Sequence, residues 1–400
     1  MSAFNKFQLI AYHVPTDKML PPGEACELSG ASLEDLKDYL GQQADDPELR
    51  LRRMIAVAER ALASAKIDAG KSTLKVFMAP EFYFQPWAQG DYNQDHAGKL
   101  PPRAYTAAEM SRILGGLRKV FCEQKRWRGW LLVLGSVIWR APAKDYMDVF
   151  DTIEDLKDKD SDDAIKVTSL FNADDLANAA DKSVVLNTAI VVEGGHGMST
   201  FQKTNYADFD KIKSAYQPDM KNDAFSGVSI GRGKLKNYLL ELRKLDSKSC
   251  IIRVGDNLHV GVEVCKDHLV GVLKGAYKDL RKVQGDKTPP IDLQLLTCCG
   301  MSLESERLVV DVDRYALRVD GISADINDAH SEIQQVVSVK GDAHKVQRTT
   351  QPIDRVALKG DLELAVGDLT TYDKDGQERP LSELIPQEIA VYKTLDLPTA

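Results

Sequence analysis

The chain has 400 residues, 43% of them hydrophobic, and a formal net charge of −8. That is enough apolar material for a sizeable core in one large domain or two, and the acidic balance argues against nucleic acid or an anionic membrane as the main partner. No apolar run reaches the length of a membrane span, Met1-Ser2-Ala3-Phe4-Asn5-Lys6 lacks the apolar core of a signal peptide, and six cysteines are too sparse for a disulfide framework.

A reducing cytoplasm is therefore the expected compartment, and it keeps the thiols free. In chain order, residues 7–12 read as a first strand, and Pro21-Pro22-Gly23 marks a loop. Ser32 with Asp35 has the form of a capping box opening a short helix over 33–40. Asp46 is placed to cap a stronger helix with Pro47 at its first position. Leu51, Met54, Ile55, Ala58, Ala61, Leu62 and Ala65 give that helix one apolar stripe, and Gly70 ends it. The apolar strand Val76-Phe77-Met78-Ala79-Pro80-Glu81-Phe82 then ends in a carboxylate.

A polar loop with Gly and Pro, 85–104, follows Glu81 and carries Trp87, Tyr92, His96 and Arg103. A loop on such a strand end either lines a pocket or is a plain surface excursion. Residues 107–125 read as a helix, and 130–138 as a nearly continuous apolar strand, the pattern of a strand covered on both faces. Segment 144–182 breaks the sheet pattern with twelve Asp or Glu against five Lys. It reads as a solvated insert, with an acidic lid or partner site as the alternative. A strand over 184–192, a glycine turn at 194–197 and a strand over 198–201 lead to Lys203.

Residues 211–250 form a lysine-rich insert with a helix expected over 235–245. Its Gly231-Arg232-Gly233-Lys234 lacks the spacing of a phosphate-binding loop. The strand from Leu258 runs into Gly261-Val262-Glu263-Val264-Cys265-Lys266-Asp267-His268 and breaks at a charged step, where a turn can present the Cys265 sulfur. Beyond it lie a helix over 274–283, a strand over 291–296, the turn Thr297-Cys298-Cys299-Gly300 and a helix over 304–316. An Asn-containing turn at 323–328 and closing strands at 336–339 and 362–366 follow, with 367–400 a tail suited to packing on a partner subunit. No internal repeat or low-complexity linker divides the chain, so one domain spanning 1–400 with insertions at 85–104, 144–182 and 211–250 is expected.

The order Glu81, Lys203, Cys265, each after its own strand, resembles the catalytic triad of the nitrilase superfamily of carbon–nitrogen hydrolases. The likeness covers about residues 7–330 in strand order and is close around the three motifs. It implies an α/β fold, a four-layer α-β-β-α sandwich of two mixed sheets with outer helices. It also implies a homodimer or larger homo-oligomer and hydrolysis of a small polar amide through a cysteine thioester, without a cofactor or metal. Nitrile and N-carbamoyl hydrolysis belong to the same fold. A catalytically idle binding protein and a subunit delivering ammonia to a partner are the rival readings.

In the implied chemistry, Cys265 attacks as a thiolate. Glu81 moves the proton, with burial raising its affinity for one. Lys203 and the Lys266 amide face the developing oxyanion. Asp267 matches the family's Cys-x-Asp and supports the turn. Glu263, two residues before Cys265, is expected on the same side of the strand; the Glu-x-Cys-x-Asp form is similar to glutaminase domains of the superfamily. His268 is a supporting candidate. Cys298, at a neighbouring strand end, is a pocket-lining candidate, and it lacks the further Cys or His that a metal site needs.

Overall fold

Alternating apolar side chains, pointing to opposite faces of extended backbone, build most of the regular structure. The computed structural model describes residues 3–16, 22, 24–28, 30–39, 45–86, 104–142, 183–203, 250–322, 330–341, 343–364, 370–372, 377–380 and 387–398. The strands are β1 (Lys6–His13), β2 (Thr73–Ala79), β3 (Trp130–Pro142), β4 (Ser183–Glu193), β5 (Gly197–Gln202), β6 (Ile251–Val254), β7 (Leu258–Val264) and β8 (Leu293–Cys298). They continue with β9 (Tyr315–Asp320), β10 (Ser331–Lys340), β11 (Ala343–Thr349), β12 (Asp354–Ala357), β13 (Thr370–Tyr372), β14 (Glu378–Pro380), β15 (Glu388–Val391) and β16 (Leu395–Asp396). The α-helices are α1 (Gly30–Leu36), α2 (Asp46–Leu62), α3 (Ala107–Leu117), α4 (Lys266–Val270) and α5 (Val272–Gln284).

The fold is mixed α/β with two mixed sheets. The first runs β12-β15-β1-β2-β3-β4-β5, with β16 also pairing with β1. Its strands β1, β2 and β3 are parallel, and β4, β5 and β15 join antiparallel. The second runs β11-β10-β9-β8-β7-β6, with β7, β8 and β9 parallel and the flanking strands antiparallel. Strands β13 and β14 pair separately.

Period-two alternation sorts the first sheet's side chains into two cores. Leu9, Val76, Met78, Leu131 and Val133 join Val260, Val262, Leu295, Leu317 and Val319 of the second sheet in one buried cluster. The alternate residues Ile10, Phe77, Leu132 and Leu134 gather with Leu51, Met54 and Ile55 of α2 and Ile113 and Leu117 of α3. Both faces of β3 are thus covered, which explains its unbroken apolar run. Fully burying one such aliphatic side chain contributes about 1.5–3 kcal/mol.

Several expectations need correction. Asp45, not Asp46, caps α2, its side chain accepting from the Glu48 amide; Pro47 sits in the first turn, and the helix stops at Leu62, short of Gly70. Ser32 lies inside α1, and its hydroxyl donates to Glu59 at 2.5 Å instead of capping. The expected 304–316 helix is absent: a 3-10 turn at Ser305–Arg307 precedes β9. β9 begins at Tyr315, so sheet pairing between β8 and β10 takes the last two residues of that span, Tyr315 and Ala316. The expected 362–366 strand is, over its described residues, the end of a 3-10 turn at Gly360–Leu362 followed by Leu364, whose amide donates to Gln387. Part of the 367–400 tail lies inside the chain's own first sheet: β15 pairs with both β1 and β12, and Ile389, Ala390 and Val391 are fully buried. Most of the 85–104 loop, the acidic 144–182 segment, the 211–250 insert up to 249 and the 323–328 turn lie outside the described residues.

Candidate functional site

The carboxyl ends of the two parallel strand trios meet, and the three residues singled out by the sequence lie at that edge. Glu81 follows β2 after Pro80, which has no amide to extend the ladder. The chain then turns sharply, with Phe82 at φ 63°, a conformation unusual for an aromatic residue. Phe82 donates its amide to Ser136 Oγ at 2.9 Å, and Phe84 donates its own to the Ser136 carbonyl at 3.0 Å. Room for the turn comes from Gly135 in a bulge of β3, at φ 72°. A Cβ there would lie 2.4 Å from the Pro80 carbonyl oxygen, so any side chain would push the Glu81 segment away.

Lys203 follows β5, and its amide donates to the Asn187 carbonyl at 2.8 Å. Its Nζ donates to Glu81 Oε1 at 2.7 Å, and both side chains are fully buried. Asn187 Nδ2 donates to the same oxygen, also at 2.7 Å. The Lys203 ammonium lies 5.4 Å from the Phe82 ring centroid, close enough for a cation–π contribution. A buried, oppositely charged, hydrogen-bonded pair of this kind is what low dielectric permits; either charge alone would be costly.

Cys265 stands between β7 and α4 at φ 46°, ψ −114°. Such backbone is costly for a residue with a Cβ and concentrates at functional sites. Its amide donates to the Thr297 carbonyl at 3.0 Å, its carbonyl accepts from His268 at 2.9 Å, and its Sγ lies 4.0 Å from the Cys299 carbonyl oxygen. Thr297 in turn donates its hydroxyl to the Ala79 carbonyl at 2.9 Å. One residue therefore joins the Cys265 turn to the strand that ends at Glu81. A small apolar cluster of Phe82, Ile138 and Cys299, with Ala104 and Ile322 packed on it, makes a second link.

The supporting candidates divide. Strand alternation does not reach from Glu263 to Cys265, because Cys265, at positive φ, lies beyond the last residue of β7. Its carboxylate is engaged by His268 Nδ1 at 2.6 Å, the Leu273 amide at 3.0 Å and Gln294 Nε2 at 2.8 Å. His268 Nε2 accepts from the Glu304 amide at 2.9 Å, so the ring proton sits on Nδ1 and is donated to Glu263. The pair braces the turn that carries Cys265. Asp267 is fully buried in α4, and Lys266 is half-buried at its start. Cys298 Sγ donates to the Met301 carbonyl at 3.2 Å. Burial pushes this thiol well above its ordinary pKa, and the nearby Asp320 carboxylate adds to the effect.

Asn187, Thr297, Ser136 and Asp320 were not singled out by the sequence. Asp320 Oδ1 accepts from the Gly300 amide at 2.7 Å and the Ile322 amide at 3.0 Å, and Oδ2 accepts from Arg318, which fixes the turn holding Cys299. The available signal was polarity against apolar runs: Asn187 interrupts one and Thr297 follows the end of another. No protein-family model matches this chain, and no curated protein matches it. Among the described residues, no group of three or more His, Cys, Asp or Glu side chains is arranged to hold a metal ion.

Proposed function

We propose that the chain is a hydrolase of the nitrilase type that cleaves a carbon–nitrogen bond in a small amide through a thioester on Cys265. The observation that carries this reading is the fully buried Glu81–Lys203 pair at 2.7 Å, one bridging residue from a cysteine held at φ 46°. The shared core of the two sheets and the α2 and α3 side chains on the first sheet's other face support a four-layer α-β-β-α sandwich as the architecture. In that architecture, paired subunits are expected.

In the proposed cycle, Glu81 takes the Cys265 proton, and the thiolate sulfur bonds to the amide carbon. The carbonyl electron pair moves to oxygen, opposite the Lys203 ammonium and the Lys266 amide. Collapse breaks the carbon–nitrogen bond, and Glu81 returns its proton to the leaving amine. Water then gives a proton to Glu81 as its oxygen adds to the thioester carbon. The second collapse expels the thiolate and releases the acid, and Cys265 regains its proton. Amide and water become acid and amine, with no net change in the protein.

The test is intact-mass and peptide mass spectrometry after rapid acid quench with a panel of small amides, in wild type and in Cys265→Ala. An acyl adduct on Cys265, with turnover lost in Cys265→Ala, is the expected result. Equal turnover in the variant, or no adduct and no amine release across the panel, overturns the reading.

A further inference from the structure

We infer that Thr297 is a positioning residue that sets the approach of Cys265 to Glu81 across the two sheets. The inference rests on the hydrolase reading above. Glu81 and Cys265 belong to different sheets, and sheets that face each other are held mainly by apolar burial, which is non-directional and roughly proportional to area. Such packing tolerates small slides; a hydrogen bond, which weakens steeply with angle, does not.

Thr297 joins the two directional constraints. Its backbone is fixed in the parallel trio, opposite Val264 on β7 and Val319 on β9. Its carbonyl accepts the Cys265 amide at 3.0 Å and its hydroxyl donates to the Ala79 carbonyl at 2.9 Å. Ala79 is the last residue of β2, and only Pro80 separates it from Glu81. Thr297 and Ala79 are both fully buried, so water does not replace the bond when it is lost. A β-branched side chain also holds few χ1 rotamers, which keeps the hydroxyl aimed. A neighbouring backbone bond, Thr16 amide to Gly321 carbonyl at 2.8 Å, clasps the chain after β1 to the chain after β9. The Thr297 hydroxyl does the same for the strand ends that carry the reacting groups.

The experiment compares Thr297→Val, Thr297→Ser and Thr297→Ala with wild type, and uses Val336→Ala, a buried β10 residue outside the site, as a destabilised control. The readouts are kcat and KM on an amide the wild type hydrolyses, and the pH profile of Cys265 alkylation by iodoacetamide. Thr297→Val should lower kcat about 100-fold with KM nearly unchanged, the loss expected of a misplacement of about 1 Å. Its alkylation profile should move to higher pH. Thr297→Ser should keep both near wild type. Unchanged kcat and an unchanged profile in Thr297→Val overturn the inference, as does an equal loss in Val336→Ala. Should Thr297→Val not fold, Thr297→Ala against Thr297→Ser isolates the hydroxyl on the same terms. Wild type that neither turns over nor alkylates at Cys265 defeats the hydrolase reading and this inference together. Active wild type with indifferent Thr297 variants defeats the inference alone.

Discussion

Replacing Lys203 with methionine tests the buried pair most directly. Lys203→Met keeps the length of the side chain and removes the ammonium that lies 2.7 Å from Glu81 Oε1. At that distance the gross attraction is about 6 kcal/mol for an effective dielectric constant of ~20. The cost of taking both charges out of water offsets much of it. What an unfolding experiment reads is the carboxylate left behind, typically about 3–5 kcal/mol. The Asn187 amide still donates to the same oxygen, which favours the lower end of that range. The deficit must also depend on pH. Without the Lys203 charge, burial favours the protonated form of the Glu81 side chain more than it does in the wild type, whereas in the unfolded chain a glutamate releases its proton near pH ~4.3. Above that pH the folded state then binds more protons than the unfolded state, so stability falls as pH rises. The deficit should be small near pH 4.5 and largest at neutral pH. Urea unfolding of wild type, Lys203→Met, Glu81→Gln and the double variant across that range supplies the measurement. Glu81→Gln removes the carboxylate 2.7 Å from the ammonium, so both single variants should be destabilised and the double variant should recover much of the loss. Additive single losses, or a Lys203→Met deficit independent of pH, would refute the reasoning.

Three further outcomes follow from other parts of the site and core. Cys265→Gly should be about 1–2 kcal/mol more stable than Cys265→Ala, the reverse of the usual order, because only alanine keeps a Cβ at φ 46°; chemical denaturation that ranks alanine higher would show that the turn is unstrained. At pH 8, iodoacetamide should label Cys265 and spare Cys298, whose thiol burial holds well above its ordinary pKa; peptide mapping that finds Cys298 labelled first in the folded protein would contradict this. Burial lowers the His13 pKa, while its hydrogen bond to Glu388 and that carboxylate's charge oppose the shift and the Arg355 guanidinium adds to it. The folded state therefore takes up the His13 proton at a lower pH than the unfolded chain, which protonates near pH ~6.5, so stability should fall as pH drops through that value. His13→Gln should flatten that slope in unfolding curves between about pH 5 and 7, with Glu388, Arg355, Ser331 and the neighbouring His330 ring still in place.

The strands were the most legible part of the chain. Residues 7–12, 130–138, 184–192 and 258–262 all fall within observed strands, because apolar alternation or continuity is a local property that any sheet position must satisfy. The α2 stripe was legible for the same reason, and its cap was misread by one residue because Asp45 and Asp46 have identical side chains. Tyr315 and Ala316, the end of the expected 304–316 helix, and residues 388–391 were misread because their states depend on pairing with distant strands, β8 and β10 in one case and β1 and β12 in the other.

For the site, the order of Glu81, Lys203 and Cys265, each after its own expected strand, and its resemblance to a known triad singled the three out. The 2.7 Å contact between Glu81 and Lys203, 122 positions apart, exists only once four strands, β2-β3-β4-β5, have paired side by side. The positive φ of Cys265 has no signature in residue type, since glycine would be the expected occupant. The roles of Asn187 and Thr297 were equally hidden. Asn187 looks like a polar interruption in an apolar strand and Thr297 like the start of a turn until folding brings a buried partner, Glu81 in one case and the Ala79 carbonyl in the other, within hydrogen-bond distance. Local periodicity is written in neighbouring residues and so survives in the sequence. A hydrogen bond that closes 218 positions is a property of how the two sheets meet, and only the tertiary structure decides it.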